Sequence, residues 1–591
     1  MWFKNSNDRP SAGENEIESA RSTTLNPDAK EAEEAMTQHD ARSLEDEVPT
    51  EDAQAGVQGI EAITLSWSRS SLIVVYLSMF SLYMVNAFRQ SITGNLYAYI
   101  TSDFSQHSLI PVISIVTGVM GAACNMPIAK MLNLWDRAHG FIFLMVLSII
   151  GTILSATCKN IAVYCAGEVF STVGFTGMIY AVDVLTADTS KVSHRGMAFA
   201  FTSSPYIVTA FAGPKAAEKF NDINWRWGYG CWAILVPFVA APLYICMQLG
   251  KRDAKKKGIW VERKSGRTFY QSLIYYLIEF DVLGVVLLAG GLVVFLLPFS
   301  IATSVKDEWR SGSIIAMLVV GFVILIVFAL VERFVAPKPF VPFRLLTSRT
   351  VVGACLIDLT YQIAYYCWNS YFTSYLQVVY GLSVSTAGYI TGIFDIVSAF
   401  WLLGVGYLMY KTARFRWLLL IAVPMYILFV GLLIYFRRPG TNIGYIVMCE
   451  IFIALSGGTM ILCQQVAVTS VSAHNDVAAI LAVLSLFGNV GGAIGNSISG
   501  AVWTNTLPQS LKRLLPDSAK ADWQTIYDDI TVQLSYPMGS AVRTAIIDAY
   551  ADTQTKMIIA GTAVMALSLI WMLLVRDIKL TDVKQVKGLL F

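Results

Sequence analysis

The sequence predicts an all-α polytopic membrane protein, and three observations carry the prediction. Charged residues make up 14% of the 591 and hydrophobic ones 55%, against about 25% charged in an ordinary soluble chain. Mean hydropathy is +0.56. Apolar runs of about twenty residues, the length that crosses a hydrocarbon core, recur from Ser70 onward. The lipid bilayer is therefore an expected partner. The net charge of +2 gives no reason to expect nucleic acid. Nine cysteines lack CxxC or paired spacing, so neither a disulfide framework nor a thiolate metal site is indicated.

In chain order, residues 1–69 read as a disordered, acidic cytosolic tail. Glu31, Glu33, Glu34, Glu45, Asp46 and Glu47 crowd it, and large apolar residues are few. It has no apolar h-region and does not read as a signal peptide. About fourteen spans follow. The first six are 71–92, 109–132, 140–157, 161–185, 197–214 and 228–248. A pair at 280–300 and 313–334 comes next, then 351–377, 384–408, 416–436, 443–466, 477–502 and 556–575. Polar residues interrupt the fifth and the ninth. The chain thus divides into a bundle at 70–248, a basic cytosolic loop at 249–279 and an inserted pair with its loop at 280–350. A second bundle at 351–575 includes an outer loop at 504–555, and a cytosolic tail occupies 576–591. With both termini cytosolic, inner segments carry about 23 Lys and Arg and the short outer loops about 8, as the positive-inside rule requires.

An internal repeat fixes the arithmetic. AKMLNLWDRA (Ala129 to Ala138) follows the second span, and GYLMYKTARF (Gly406 to Phe415) follows the tenth. Arg137 and Arg414 stand at the same offset in the two copies. Both stretches resemble the loop signature of the major facilitator superfamily, Gly-x-Leu-x-Asp-x-x-Gly-Arg. The repeat makes spans nine to fourteen a copy of spans one to six, as in the fourteen-span branch: two six-helix bundles plus an inserted pair. The signature departs at its acidic position (Asn133, Tyr410) and at its second glycine (Asp136, Ala413), which leaves the charge network of the inner gate open.

An ionisable group near the bilayer centre costs about 2.5–3.5 kcal/mol, so it usually faces a cavity or a partner. The resemblance implies that spans one, four, nine and twelve line the central cavity. They carry Arg89, Glu168, Asp358 and Glu450, the candidates for proton coupling. LIDLTYQIAYYCWNSYF (Leu356 to Phe372) sets Asp358, Gln362, Tyr365 and Asn369 on one helical face. With Tyr361, Tyr366 and Trp368, and with Gln464 on span twelve, these are the substrate-binding candidates. Tyr371 and Tyr375 read as interfacial belt aromatics or packing residues. Asp183, Asp188 and Arg195 lie at the inner end of span four, where a gating salt bridge is expected alongside Arg137 and Arg414. GNVGGAIGNSISG, from Gly488, offers small residues for close helix packing. No Walker A pattern occurs, and no intramembrane His or Cys cluster that a path for bare Zn²⁺ or Fe²⁺ would need.

Several stretches narrow the resemblance. VNAFRQSITGNLYAYITSDF (from Val85), ADTS (from Ala187), AFTSSPYI (from Ala200) and SVSAHNDVAA (from Ser470) are similar to the fungal siderophore–iron transporters. The branch they look most like takes up triacetylfusarinine C. The resemblance implies proton-coupled import of ferric hydroxamate siderophores at the plasma membrane or in endosomal vesicles. No cofactor is implied, because the iron arrives inside its chelate, and no metal ligands are needed for the same reason. It also marks Tyr527 and Tyr536, in the outer loop, as gating candidates. The alternatives are a drug/proton antiporter, with Thr209 before Gly213-Pro214 giving only part of that signature, and a non-transporting siderophore sensor. No enzyme motif is present, and the sequence carries no signal for an oligomeric state.

Overall fold

The computed structural model describes residues 55–104, 110–190, 195–260, 266–337, 344–472 and 476–580. Most of the acidic tail, part of SVSAHNDVAA and the last eleven residues of the C-terminal tail lie outside them, as does the side chain of Arg195. The described residues form helices throughout. α1 is Ala55–Ser66, α2 Arg69–Asp103, α3 Ile110–Leu134, α4 Arg137–Thr157 and α5 Ile161–Asp188. α6 (Arg195–Ser203), α7 (Tyr206–Ile223) and α8 (Trp227–Lys256) complete the first bundle. α9 is Phe269–Glu279, and α10 (Val282–Ile301) and α11 (Gly312–Phe334) are the inserted pair. The second bundle holds α12 (Arg349–Asn369), α13 (Phe372–Tyr380), α14 (Val384–Thr412), α15 (Arg416–Phe436) and α16 (Ile443–Ser470). It closes with α17 (Val477–Leu514), α18 (Trp523–Asp528), α19 (Ile530–Ser535) and α20 (Ala541–Leu574).

Among the described residues twelve helices are long and apolar enough to cross a membrane. The fifth and ninth expected spans are the two outside this set, and both are broken. The fifth parts into α6 and α7 at Pro205, whose ring nitrogen cannot donate a helical hydrogen bond. The ninth parts into α12 and α13, where Ser370 Oγ donates to the Tyr366 carbonyl (2.6 Å) and so competes with the helix ladder. Both still pack inside the bundles: α7 lies against α2 and α14, and α12 against α17 and α20.

Three segments read as loop or tail are helical. α1 falls in the expected tail, yet Val57, Ile60 and Ile63 are buried against α3 and α8. Their spacing puts them on one face, and a neighbouring surface completes the burial. Gly56 permits that contact, since a Cβ there would lie 2.3 Å from the Leu132 carbonyl oxygen. α9 falls in the basic loop, opens with a capping box of Thr268 and Gln271, and leaves Phe269 and Tyr270 exposed. In the outer loop, α17 continues to Leu514, and Leu507, Leu511, Ile526 and Ile530 are buried in the apolar core they share with the bundles.

The repeat is visible in the caps. α5 and α16 each have 28 residues, each starts behind an asparagine whose side chain accepts a backbone N–H, and each carries its glutamate seven residues after its first: Asn160 and Glu168, Asn442 and Glu450. The glycines of α17 lie on α12, where a Cβ at Gly491 would come within 2.5 Å of the Leu359 carbonyl oxygen. The two halves touch at both ends. A Cβ on Gly388 would lie 2.5 Å from Asn95 Oδ1 near the outer side, and one on Gly406 would lie 3.5 Å from the Gly196 backbone near the inner side.

Candidate functional site

Between those two contacts lie two neighbouring cavities of about 290 and 380 Å³. They share Gln90, Tyr97, Ser114, Tyr366 and Asn496 as walls. Both bundles contribute, α2 and α5 from one and α12, α14 and α17 from the other. The larger contains Arg89 and Glu168. Arg89 stands over the Phe175 ring at 4.3 Å, a geometry in which the ring face attracts the cation. Glu168 accepts from Tyr97 Oη (3.0 Å) and from Ser155 Oγ (3.2 Å). Two donors and a cation nearby supply what a carboxylate needs when it leaves water.

The aromatic segment of α12 divides by helical angle. Gln362, Tyr365, Tyr366 and Asn369 line the cavities, and Asn369 Nδ2 donates to Tyr365 Oη (3.0 Å). Tyr361 and Trp368, seven residues apart, point elsewhere. Tyr361 packs edge-on against Tyr426 at 5.2 Å, and Trp368 Nε1 donates to Tyr426 Oη (3.4 Å). Neither reaches a cavity wall, because each is turned about 100° from a residue that does. Asp358 also lies off the cavities, where Gln464 Nε2 donates to its Oδ1 (3.2 Å) and Gly488 leaves room for it. Tyr371 and Tyr375 are buried inside the protein rather than belted at the lipid interface, and Tyr371 stacks on Trp503 at 3.7 Å.

Glu450 has a different setting from its repeat partner. It is fully buried, and among the described residues neither carboxylate oxygen has a hydrogen-bond partner. The cation near it is Arg437, not Arg89. Arg437 is itself fully buried at the end of α15, donates to the Trp368 carbonyl (2.7 Å) and Gln554 Oε1 (3.0 Å), and stands over Phe372 at 4.0 Å. Arg437 was not a sequence candidate because it closes a span and reads as a loop residue. A second omission is Asp395 of α14, which lines the smaller cavity. It obeys the same intramembrane-charge rule as the others, but it sits on the tenth span, outside the four expected to face the cavity.

The inner loops resolve the departures from the signature. Arg137 pairs with Asp188 at 3.1 Å and donates to Asn133 Oδ1 (3.2 Å), so the acid comes from α5 and the amide keeps the acidic position's contact. Asp136 caps α4 and pairs with Lys251 at 2.5 Å. Asp183 accepts from Tyr83. Arg414 pairs with Asp577 beyond α20 rather than with an acid on α16. At the outer side Tyr527 is buried in α18 and Tyr536 caps the end of α19, half-buried. Arg543 ties this region down by donating to the carbonyls of Val378 (3.1 Å), Gln377 (3.3 Å) and Gln533. Among the described residues no three His, Cys, Asp or Glu side chains gather as a metal-binding group.

Comparison with known proteins gives the family. A profile of the Major Facilitator Superfamily matches residues 79–496. The chain is 61% identical to MFS siderochrome iron transporter D of Aspergillus fumigatus, over 96% of this chain and 94% of that protein. It is 51% identical to Siderophore iron transporter mirB of Emericella nidulans, over 93% and 91%. Among solved structures it is similar to a bacterial homologue of the human lysosomal transporter Spinster, inward-facing and unoccupied, at TM-score 0.52 and 15% identity, covering 88% of this chain and 99% of that one. The last likeness carries the fold alone. With the superfamily profile spanning both bundles and these relatives matching nearly end to end, the protein belongs to the major facilitator superfamily and, within it, to the fungal siderochrome iron transporters, a family of carriers rather than enzymes.

Proposed function

We propose that the protein imports ferric hydroxamate siderophores by alternating access, driven by protons, with triacetylfusarinine C as the first chelate to offer. Full-length similarity to siderochrome carriers supports this reading most strongly. A cavity between the two bundles, walled by tyrosines, amides and hydroxyls, is consistent with it. Such a wall suits a bulky chelate whose iron is already ligated, since the protein then needs only shape and hydrogen bonds. Glu168 is the coupling acid that meets the cavity, with Arg89 beside it. Protonation of Glu168 would free Arg89 from its counter-charge while a chelate is bound. Glu450 and Arg437 repeat the arrangement out of cavity reach. One charge crossing 100 mV supplies about 2.3 kcal/mol, before any pH gradient. Both termini are assigned to the cytosol, and the site of action to the plasma membrane or endosomal vesicles.

Radioiron uptake in yeast lacking its own siderophore carriers tests this, with ferric triacetylfusarinine C, ferrichrome and ferrioxamine offered separately. Protonophore-sensitive accumulation of one chelate is the expected result. No accumulation by protein shown at the surface would return the weight to drug export or sensing. Robust coupled uptake by both Glu168→Gln and Glu450→Gln, each tested alone, would remove the two glutamates from the coupling step.

A further inference from the structure

Three charged side chains line the two cavities: Arg89, Glu168 and Asp395. The first two share one compartment and offset each other. Asp395 stands alone in the other. It is half-buried on the wall, and its carboxylate has no hydrogen-bond or ion-pair partner among the described residues; the contact made at Asp395, from Ser398 Oγ, goes to its backbone carbonyl. Two tyrosine hydroxyls of its compartment make no hydrogen bond to it among the described residues. Tyr206 Oη donates to Gln90 Oε1 (3.1 Å), and Tyr365 Oη accepts from Asn369. The next acid behind the wall, Glu450, is close enough to repel Asp395, not to neutralise it.

The fold explains how such a charge is tolerated. α14 is interrupted at Gly392, and Asp395 sits in the first turn of the helix that restarts at Ile393. The N–H groups at the start of a helix favour a carboxylate. They do not supply a counter-ion, so the substrate cavity carries one uncompensated negative charge. Tyr97, Tyr206, Tyr365 and Tyr366 surround the same compartment. Aromatic faces beside a carboxylate form a setting that selects a small organic cation.

Resting on the siderophore reading above, we propose that Asp395 forms a subsite for a protonated primary amine at the edge of the chelate. The iron core of a ferric trihydroxamate is neutral, since three hydroxamate anions balance Fe³⁺, so peripheral groups alone set the net charge. A chelate with a free ammonium gains this contact, and an N-acetylated form such as triacetylfusarinine C is carried without it.

The test compares each scaffold with itself: ferrioxamine B, which ends in a primary amine, against N-acetylferrioxamine B, and deacetylated fusarinine against triacetylfusarinine C. Uptake of the iron-labelled chelates is measured in the same yeast with the full-length chain. The amine form is expected to show a KM about ten-fold lower than its acetylated partner, as one charge-assisted hydrogen bond allows. In Asp395→Asn and Asp395→Ser the KM ratio falls to about one, and in Asp395→Glu it persists. Equal KM values in the wild type, or a ratio retained in both neutral variants, would overturn the subsite. Loss of uptake of both forms in the neutral variants at normal surface level would overturn it in favour of a coupling role. Uptake of neither form by the wild type would defeat the import reading itself.

Discussion

Arg437 shows how much a single side chain can hide at the end of a span. A guanidinium buried among Trp368, Phe372 and Tyr375 loses its water, and Glu450 nearby is its only acidic neighbour of similar depth. The two make no salt bridge among the described residues, but removing the guanidinium takes away the nearest positive charge and strands the Trp368 carbonyl and Gln554 Oε1 that it bonds, at about 1–3 kcal/mol for each buried acceptor. Arg437→Met is therefore expected to lower thermal stability in detergent strongly. The double variant Arg437→Met/Glu450→Gln should recover part of the loss. A double variant no more stable than the single one would show that the two groups do not compensate each other. At this scale the sequence was legible for residue type and blind to direction. It marked α12 as polar and aromatic but could not separate Tyr366, on the cavity, from Trp368, against Tyr426. One helical step decides between them, and the position of the opposing helix is not written in α12.

Elements were read best where hydropathy alone decides. α10 and α11 needed nothing more, whereas α1 and α9 depend on what lies beside them. α1 is only twelve residues long, half of them apolar, and its burial is set by the surface of α3 and α8. Breaking that face with Ile60→Asp should release the helix and open a protease site before Trp67, visible as an N-terminal clip in limited proteolysis. An unchanged digestion pattern would mean that α1 does not depend on its buried face. A second element-scale prediction concerns the end of α14. Ala413 caps it at φ +51°, in the left-handed region where the superfamily signature has glycine. Ala413→Gly relieves the Cβ strain and should stabilise the protein by about 1 kcal/mol, read as a higher melting temperature. A lower one would mean that the alanine methyl packs usefully.

The whole molecule is two unequal copies of one bundle around a shared cavity; of the four spans expected to line it, the first, fourth and ninth do, while the twelfth does not and α14 and α17 stand in its place. The sequence could not give the state of closure, because the contacts of Gly388 and Gly406 join residues hundreds of positions from their partners or lie on different halves. Those contacts must part in turn for the cavity to open to either side. Gly196→Cys with Gly406→Cys, oxidised, should hold the inner end shut and stop chelate uptake, with dithiothreitol restoring it. Uptake surviving complete cross-linking would show that the inner contact need not separate. The twin starts of α5 and α16 have a consequence of another kind. A duplicated helix leaves one copy free to drift, and here the two have drifted apart in access: Glu168 faces the cavity, while Glu450 is walled in with a cation nearby. Among descendants of such a duplication, changes around Glu168 should track what is carried. Changes around Glu450 should come in matched pairs with Arg437, as the memory of a seat that no longer receives guests.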